Sequence, residues 1–592
     1  MCGIVGIISL NNVSLNSDLL IEKMKNALLH RGPDGEGTWY SSDRRVFLGH
    51  RRLSIIDLTN HAAQPMLSYD GRYVLTYNGE IYNYIELRKK CEKRKSIFNS
   101  NSDTEVILEC FRHWGHNAFS LFIGMWSLAL YDLIEKKIIL SRDRFAIKPL
   151  YYGIVQDNLF FASEPKALRA AHSRFNEIDD VSVQLFIENA FLERKDWTFF
   201  KYIKRFPHAH YSIIDLNKPL RKLNFICYWA APSKTIKKIS LGDAALNLRH
   251  LIIQSIKLHM RSDVQIGSCL SGGIDSSTIV SVVSRLQKGK PLQTFTIYYP
   301  NHTHLNESHW AKRVVELSGA IAIYVEPTYE SFQNELSKLI SIQDEPFGSI
   351  SIFAQYTIFK QISTSQIKVI LDGQGPDEML AGYLGYLPIY LNSLLNKGNY
   401  ILYRQELRAA KKRMNISLEK KSFSNFVKYY LKTKYNNLLN PNLSINSKSE
   451  FFDEYECRLF QLNQPQGDFE EQLKDLVCDS NLPQLLRYED RNSMAFSIES
   501  RVPFISKDIV EFCLSLPVSL RINKGYTKAV LREAIKGIVP EDIRLRVDKL
   551  GFPAPEVDWL KKTFQINISS PGSREWREII TSKWKQYVLN MI

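Results

Sequence analysis

IGSCLSGGIDSS, residues 266–277, joins a short apolar run to a cluster of hydroxyls and one acid. The run from Val264 reads as a strand ending near Leu270. Gly272 and Gly273 turn the chain, and SSTIVSVVSRL (276–286) has the apolar spacing of a helix. Backbone amides at such a turn face an anion together with the helix N-terminus. The lysine of a Walker A loop is missing. Ser271, Ser276 and Ser277 suit phosphate oxygens, and Asp275 suits a magnesium ion. Two glycines alone would mark only a tight turn; the hydroxyls and the acid make the segment a candidate phosphate site.

The same rhythm extends outward. A helical pattern (242–260) precedes the strand, and LQTFTIYY (292–299), ESHWAKRVVELSG (307–319), AIAIYVE (320–326) and IKVILDG (367–373) alternate strand and helix. That alternation predicts a doubly wound α/β domain on a parallel sheet. VILDGQGPDEMLAGY (369–383) would then lie at the carboxyl end of a strand, where ligands of such sheets bind. Asp377 and Glu378 could hold magnesium and position an acceptor there, or form a solvated helix start. Beyond residue 378 the pattern is mostly helical.

Up to about residue 205 the pattern is different. CGIVGII, RRVFLGHRRLSIID, GRYVLTYNGE, GMWSLALYD, KKIILSRD and NLFFASE read as strands, interrupted by the helical YNYIELRKKCEKR and DTEVILECFRHWG. Strand groups with helices held apart predict α+β packing of sheets with helical layers. The expected organisation is 1–205, a connecting segment 206–240, and 241–592.

Composition supports folded domains: 592 residues, 44% hydrophobic and 12% aromatic. The formal charge of +15 is diffuse apart from a Lys-rich tract near 397–434, which reads as a solvated helical face. No RNA-binding or helix-turn-helix signature accompanies it, so no nucleic-acid partner is expected. No apolar run is long enough for a bilayer, and the opening ten residues carry no Lys or Arg. A cytoplasmic protein without a membrane partner is the expectation. The eight cysteines form no CxxC pair and no Cys/His metal cluster.

One cysteine stands apart. Cys2 follows the initiator methionine and precedes an apolar run. Methionine before a small residue is commonly trimmed, which would give Cys2 a free α-amine of pKa about 7.7–8.0 beside a thiol of about 8.5. Nucleophile and base then share one residue. A small buried cysteine in an edge strand is the plainer alternative. Other segments bear on the choice. Arg52 offers a planar fork for a carboxylate. Asn78, Gly79 and Glu80 follow in YNGEIYN, and an Asn amide beside a glycine N–H makes a plausible oxyanion hole. Asp103 stands at a helix start, as an N-cap or as a partner for an ammonium.

MCGIVGI, HRGPDG (30–35), RLSIID (52–57), YNGEIYN (77–83), SDTEVIL (102–108) and RDRFAIKPLYY (142–152) together resemble class II glutamine amidotransferases. More closely, they are similar to the glutaminase half of glutamine-hydrolysing asparagine synthetases. SGGIDSS resembles the pyrophosphate loop of ATP pyrophosphatases. DEPFGSISIFAQY (344–356), RYEDRNSMAFSIESRVPF (487–504) and LRVDKLGFPAP (545–555) fit the synthetase half of the same family. The resemblance implies an N-terminal αββα sandwich of the N-terminal-nucleophile type, then the synthetase domain with a helical C-terminal part.

Roles follow from the resemblance. Cys2 would attack glutamine, with Asn78 and Gly79 holding the oxyanion. Arg52 would pair with the α-carboxylate and Asp103 with the α-amine. Leu53, Ser54, Ile55, Ile56 and Glu80 would line the rest. Leu270, Ser271, Gly272, Gly273, Asp275, Ser276, Ser277, Ile297, Asp372 and Gly373 would surround ATP. Asp275 and Asp377 would hold Mg2+, and Lys549 would be the catalytic lysine. Gln374 and Glu378 would serve the acceptor or adenylate formation. The implied partners are small molecules: glutamine, ATP, and aspartate or another carboxylate. A homodimer is compatible with the resemblance, and a protected ammonia path between the sites is implied. This sequence departs from the family pattern at Gln374, where many relatives carry an acid, at FPHAH (206–210), Ala146, Asn306 and Ser506. Gln374 puts the acceptor's identity in question more than the reaction class.

Overall fold

The computed structural model describes residues 2–9, 16–193, 195–219, 222–236, 238–287, 289–413, 454–455, 458, 468–547, 554–565 and 570–590. Lys549 and much of the basic tract lie outside the described residues.

The opening apolar run forms the strand Gly3–Ser9, fully buried. It pairs antiparallel with Val46–Arg52 and Asn158–Ala162 in a six-stranded sheet. A second six-stranded sheet centres on Tyr73–Ile81, Gly124–Asp132 and Lys137–Arg142. Alternation along the strands sorts the side chains. Ile4, Ile8 and Leu48 of the first sheet meet Val74, Ala129, Tyr131 and Leu140 of the second in one core. Val5 and Ile7 point the other way, onto Met24, Ala167 and Leu168 of the helices Ser17–Ala27 and Pro165–Ala171. Leu75, Tyr77 and Leu128 pack outward against Leu87 and Val106 of the helices Tyr84–Glu92 and Asp103–Trp114. The result is the expected αββα sandwich. The 206–240 segment contributes His210–Asp215 and Ile226–Cys227 to the edge of the second sheet before reaching the helix Leu241–His259.

The third sheet is wholly parallel. Its order is Ile321–Val325, Gln293–Ile297, Ile266–Cys269, Val369–Leu371, Glu499–Arg501. Val369 and Leu371 bury one face against Ile279, Val280 and Val283 of the helix Ile274–Leu286. Ile370 buries the other against Ile358 and Phe359 of the helix Ser351–Ile362. Helices on both faces make it doubly wound. The chain order reverses between Ile266–Cys269 and Val369–Leu371, which opens a crevice beyond their carboxyl ends. The rest is helical, as expected, and the final helix Arg574–Leu589 buries Trp576 and Trp584. Among the described residues no helix is long and apolar enough to cross a membrane.

Buried charge joins the two halves. Arg31 donates to the carboxylates of Glu164 (2.6 Å) and Asp490 (2.8 and 3.1 Å), and Arg491 pairs with Glu164 at 2.8 Å. Arg205 reaches Glu345 at 2.8 Å. Breaking such a pair leaves an uncompensated buried charge, so this interface holds a fixed relative placement.

Candidate active sites at Cys2 and at the carboxyl end of the parallel sheet

Cys2 is 8% exposed at the head of its strand. Its backbone nitrogen donates to Asn78 Oδ1 at 2.9 Å, and its carbonyl accepts from Arg31 Nε at 3.0 Å. Burial pushes the thiol pKa up, so the sulfur needs a base to become a nucleophile. Cys2, Arg52, Leu53, Ile55, Ile56, Gly79, Glu80 and Asp103 line one pocket. Asn78 and Ser54 stand beside it. The NH2 of Asn78 points to Ser127 Oγ at 3.5 Å while its oxygen holds the Cys2 nitrogen, and the Ser54 N–H donates to Asp34. Gly79 is required sterically: a Cβ there would lie 2.0 Å from the Met125 carbonyl oxygen. Opposite it, Trp126 directs both its backbone N–H and its C=O to Asp143.

Ser102, not Asp103, is the N-cap of the helix Asp103–Trp114, accepting from Thr104 N. Asp103 is thereby released to face the pocket. Burial raises its pKa to about 6, against hydrogen bonds from the Ile81 N–H and Tyr77 OH, each 2.9 Å. Glu80 is also held well above the usual range, by burial and then by Glu499. Arg52 fastens the loop below it through the carbonyls of Thr59 (2.8 Å) and Asp57.

The second site is a cavity of about 510 Å³ at the crevice of the parallel sheet. Leu270, Ser271, Asp275, Ser276, Ile297, Asp372, Gly373, Gln374 and Asp377 line it. Gly272, with φ +72°, turns the chain behind it, and Gly273 and Ser277 lie in the same strand–helix turn. A Cβ on Gly272 would come within 2.4 Å of Trp310 Cβ. Ser271 and Ser276 knit the loop, their hydroxyls 3.1 Å apart. Glu378 does not line the cavity; it accepts from Asn481 Nδ2 and from the OH of Tyr383, a lining residue, at 2.7 Å each. Burial, then Asp377, pushes its pKa up to about 7.

Asp275 and Asp377, the expected metal pair, converge on one cation of the chain: Lys528 Nζ lies 2.7 Å from each. Among the described residues no three acidic, His or Cys side chains form a metal cage. Two carboxylates are nevertheless a sufficient protein share for Mg2+, which keeps waters and substrate phosphates as its other ligands.

Two sites in this order along one chain have counterparts in known proteins. A family model described as a glutamine amidotransferase domain matches residues 1–225, and one described as asparagine synthase matches residues 247–575. Glutamine-hydrolysing asparagine synthetase 1 of Bacillus subtilis is 33% identical over 586 residues, 95% of this chain and 88% of that protein. The chain belongs to the glutamine-hydrolysing asparagine synthetase family. As a member of that family it is an enzyme, a ligase that carries its own glutamine amidotransferase domain. Synthetase 3 of the same organism is 27% identical, covering 100% of this chain and 92% of that protein. Amidase chry2 of Gibberella zeae is 25% identical, covering 98% and 94%.

Sequence reasoning did not pick out Gln64, Tyr77 and Thr104 in the first pocket, or Glu307, Gln355, Tyr383 and Tyr488 in the second. Gln64 accepts from Tyr77 N at 2.6 Å and donates to Thr104 at 3.3 Å. Tyr77 directly precedes the Asn-Gly pair, which is the one local signal that could have found it. Lys528 has no such signal.

Proposed function

We propose that the chain makes an amide from a carboxylate, aspartate first, with glutamine as nitrogen donor and ATP as activator. Glutamine is hydrolysed at Cys2 to glutamate and ammonia. In the second cavity the carboxylate displaces pyrophosphate from ATP to form an acyl-adenylate. Ammonia then displaces AMP and forms the amide.

Each step has residues suited to it. The Cys2 nitrogen, a free amine once Met1 is removed, takes the thiol proton while Asn78 holds it in place. The Gly79 N–H and the Asn78 amide stabilise the oxyanion, Arg52 holds the glutamine carboxylate, and Asp103 holds its ammonium. The SGGIDSS loop and Lys528 bind the phosphates, and Lys549 adds charge as pyrophosphate leaves. Mg2+ bound with the nucleotide would supply further neutralisation, and Asp275 and Asp377 would hold it. Leu53, Ile55 and Ile56 of the first pocket share one apolar core with Val369, Leu371 and Met379 beneath the second. That apolar interior suits uncharged ammonia.

The observation that carries the reading is the convergence of the Ser271–Ser276 loop, Asp372–Gln374 and Asp377 on one strand-end cavity, with Lys528 bridging Asp275 and Asp377, in a chain that also encloses Cys2. The test is incubation with glutamine, ATP and magnesium across a panel of carboxylates. Aspartate should yield glutamate, AMP, pyrophosphate and asparagine in equal amounts. AMP formation with another carboxylate and none with aspartate would favour a second reading, a different acceptor. The neutral Gln374 on the cavity floor and the full-length likeness to an amidase give that reading its support.

Asp103 gives a pH prediction. Its folded pKa, about 6, lies above the ordinary 3.8. Its ionisation therefore costs stability as pH rises from about 3.8 to 6, and the loss is complete above 6. A glutamine ammonium offsets that loss. KM for glutamine should therefore rise roughly tenfold per unit as pH falls below the Asp103 pKa. Asp103→Asn should weaken glutamine binding and flatten the profile; an unchanged profile in that variant would remove Asp103 from this role.

A further inference from the structure

Tyr77 lines the first pocket, and the scheme above leaves it without a task. It is 2% exposed on the strand Tyr73–Ile81, directly before the Asn78–Gly79 pair. Gln64 Oε1 holds its backbone N–H at 2.6 Å. The same Gln64 side chain donates to Thr104, the residue after Asp103. The strand and the head of the helix Asp103–Trp114 are thus tied together beside the pocket, and the Tyr77 hydroxyl spans the gap between them to reach Asp103.

The two oxygens of Asp103 are held differently. Oδ2 accepts from the Tyr77 hydroxyl and from the Ile81 N–H, each at 2.9 Å. The contact to Oδ1, from the Ser102 hydroxyl, is long at 3.4 Å. Two short donors on one oxygen fix a carboxylate's orientation and leave the other oxygen's lone pairs for a ligand. The Ile81 donor is backbone and stays with its strand. The Tyr77 hydroxyl is the side-chain half of the clamp, so its removal loosens the acid without moving the strand.

We infer that Tyr77 is a positioning residue for glutamine selection: its hydroxyl fixes Asp103 so that Oδ1 receives the α-ammonium, and the pocket thereby prefers an α-amino amide over one that lacks the amine. This rests on the reading of Asp103 given above. A buried group built to meet a polar group of the substrate discriminates against the analogue missing it, because the site is then left unpaired. The effect falls on binding, since the hydroxyl is spent on Asp103 and the sulfur chemistry proceeds at Cys2.

The test compares glutamine with glutaramate, the same amide without the α-amine, by timing ammonia release from each. The unaltered enzyme should favour glutamine at least about 100-fold in kcat/KM. Tyr77→Phe keeps the ring and removes the hydroxyl. Its KM for glutamine should rise about tenfold with kcat within about twofold, while KM for glutaramate stays within about twofold. Where glutaramate is hydrolysed too slowly to time, its inhibition constant against glutamine reads the same binding. A poorly folded preparation lowers kcat for both amides and leaves KM in place, so the KM values decide. In an Asp103→Asn background the Tyr77→Phe change should raise KM for glutamine no further, because the tyrosine acts through the acid. An unchanged KM for glutamine, equal rises for both amides, or a full further rise in the Asp103→Asn background would overturn the inference. Asp103→Asn with its preference for glutamine intact would overturn the reading of Asp103, and this inference with it.

Discussion

Cys2→Ala is expected to lower glutamine-dependent synthesis by about 10⁴-fold or more, since removal of a covalent nucleophile typically costs at least that. Synthesis supported by ammonium chloride should stay within about twofold of the unaltered enzyme, because nitrogen then bypasses the missing sulfur. The variant is structurally mild. The contacts that seat residue 2 are made by its backbone: the nitrogen to Asn78 and the carbonyl to Arg31. The thiol itself makes only a 3.9 Å contact to the Leu53 carbonyl. Alanine therefore removes the reacting atom and leaves the strand, its partner Val46–Arg52 and the pocket wall in place. Measuring both nitrogen sources on one preparation decides the matter. If both activities fall together, Cys2 is a structural residue of the strand and the two sites are not separable. Mass analysis of the intact chain adds a second check, because full glutaminase activity with methionine still attached would remove the amine from its role as base.

Much of the synthetase half was legible because its inner strands are buried on both faces and read as short apolar runs, and the helices between the strands have a clean period, so IGSC, QTFTI, IAIYV and VIL were found at their places, the last of them fully buried while the edge strand IAIYV is partly exposed. The fifth strand was not. Glu499–Arg501 has three residues, two of them charged, and it is stable in the interior because Arg501 pairs with Glu499 and donates to the carbonyls of His259 and Arg261. Those partners are more than 200 residues distant, so no local pattern announces them. Helix Ser17–Ala27 was missed for a related reason. It buries only Ile21 and Met24 as apolar residues, with Ser17 and Lys25 beside them, and that stripe is too thin to read. Two of the departures from the family pattern gained a physical meaning. Ala146 and Ala209 both have positive φ, +58° and +55°, so each adopts backbone that favours glycine.

Lys528 is the residue whose importance only the fold reveals, and its replacement carries the second large effect. It sits in YTKAVLREA, one lysine among many. In the structure it is 2% exposed with φ +52°, and its backbone N–H donates to the Leu380 carbonyl. That conformation aims the ammonium between Asp275 of the first loop and Asp377 of the second, 2.7 Å from each. One cation thus ties together the two segments that enter the cavity from different strands. Lys528→Met keeps the length and the apolar stem and removes the charge. The two carboxylates then lose the ammonium they share in a buried setting, where breaking an ion pair costs about 3–5 kcal/mol of stability. The melting temperature should fall accordingly. If Lys528 binds the phosphates as proposed, aspartate-dependent pyrophosphate release should fall about 10³-fold, because a fixed cation for the developing charge of the leaving group would be gone. Glutaminase activity reports the other half of the chain and should remain measurable. Lys528→Arg should not restore release, since a planar guanidinium does not fit the point between two carboxylates that a compact ammonium fills. Full pyrophosphate release by the methionine variant would show that Asp275 and Asp377 need no fixed partner, and that the lysine serves only to hold the loops together.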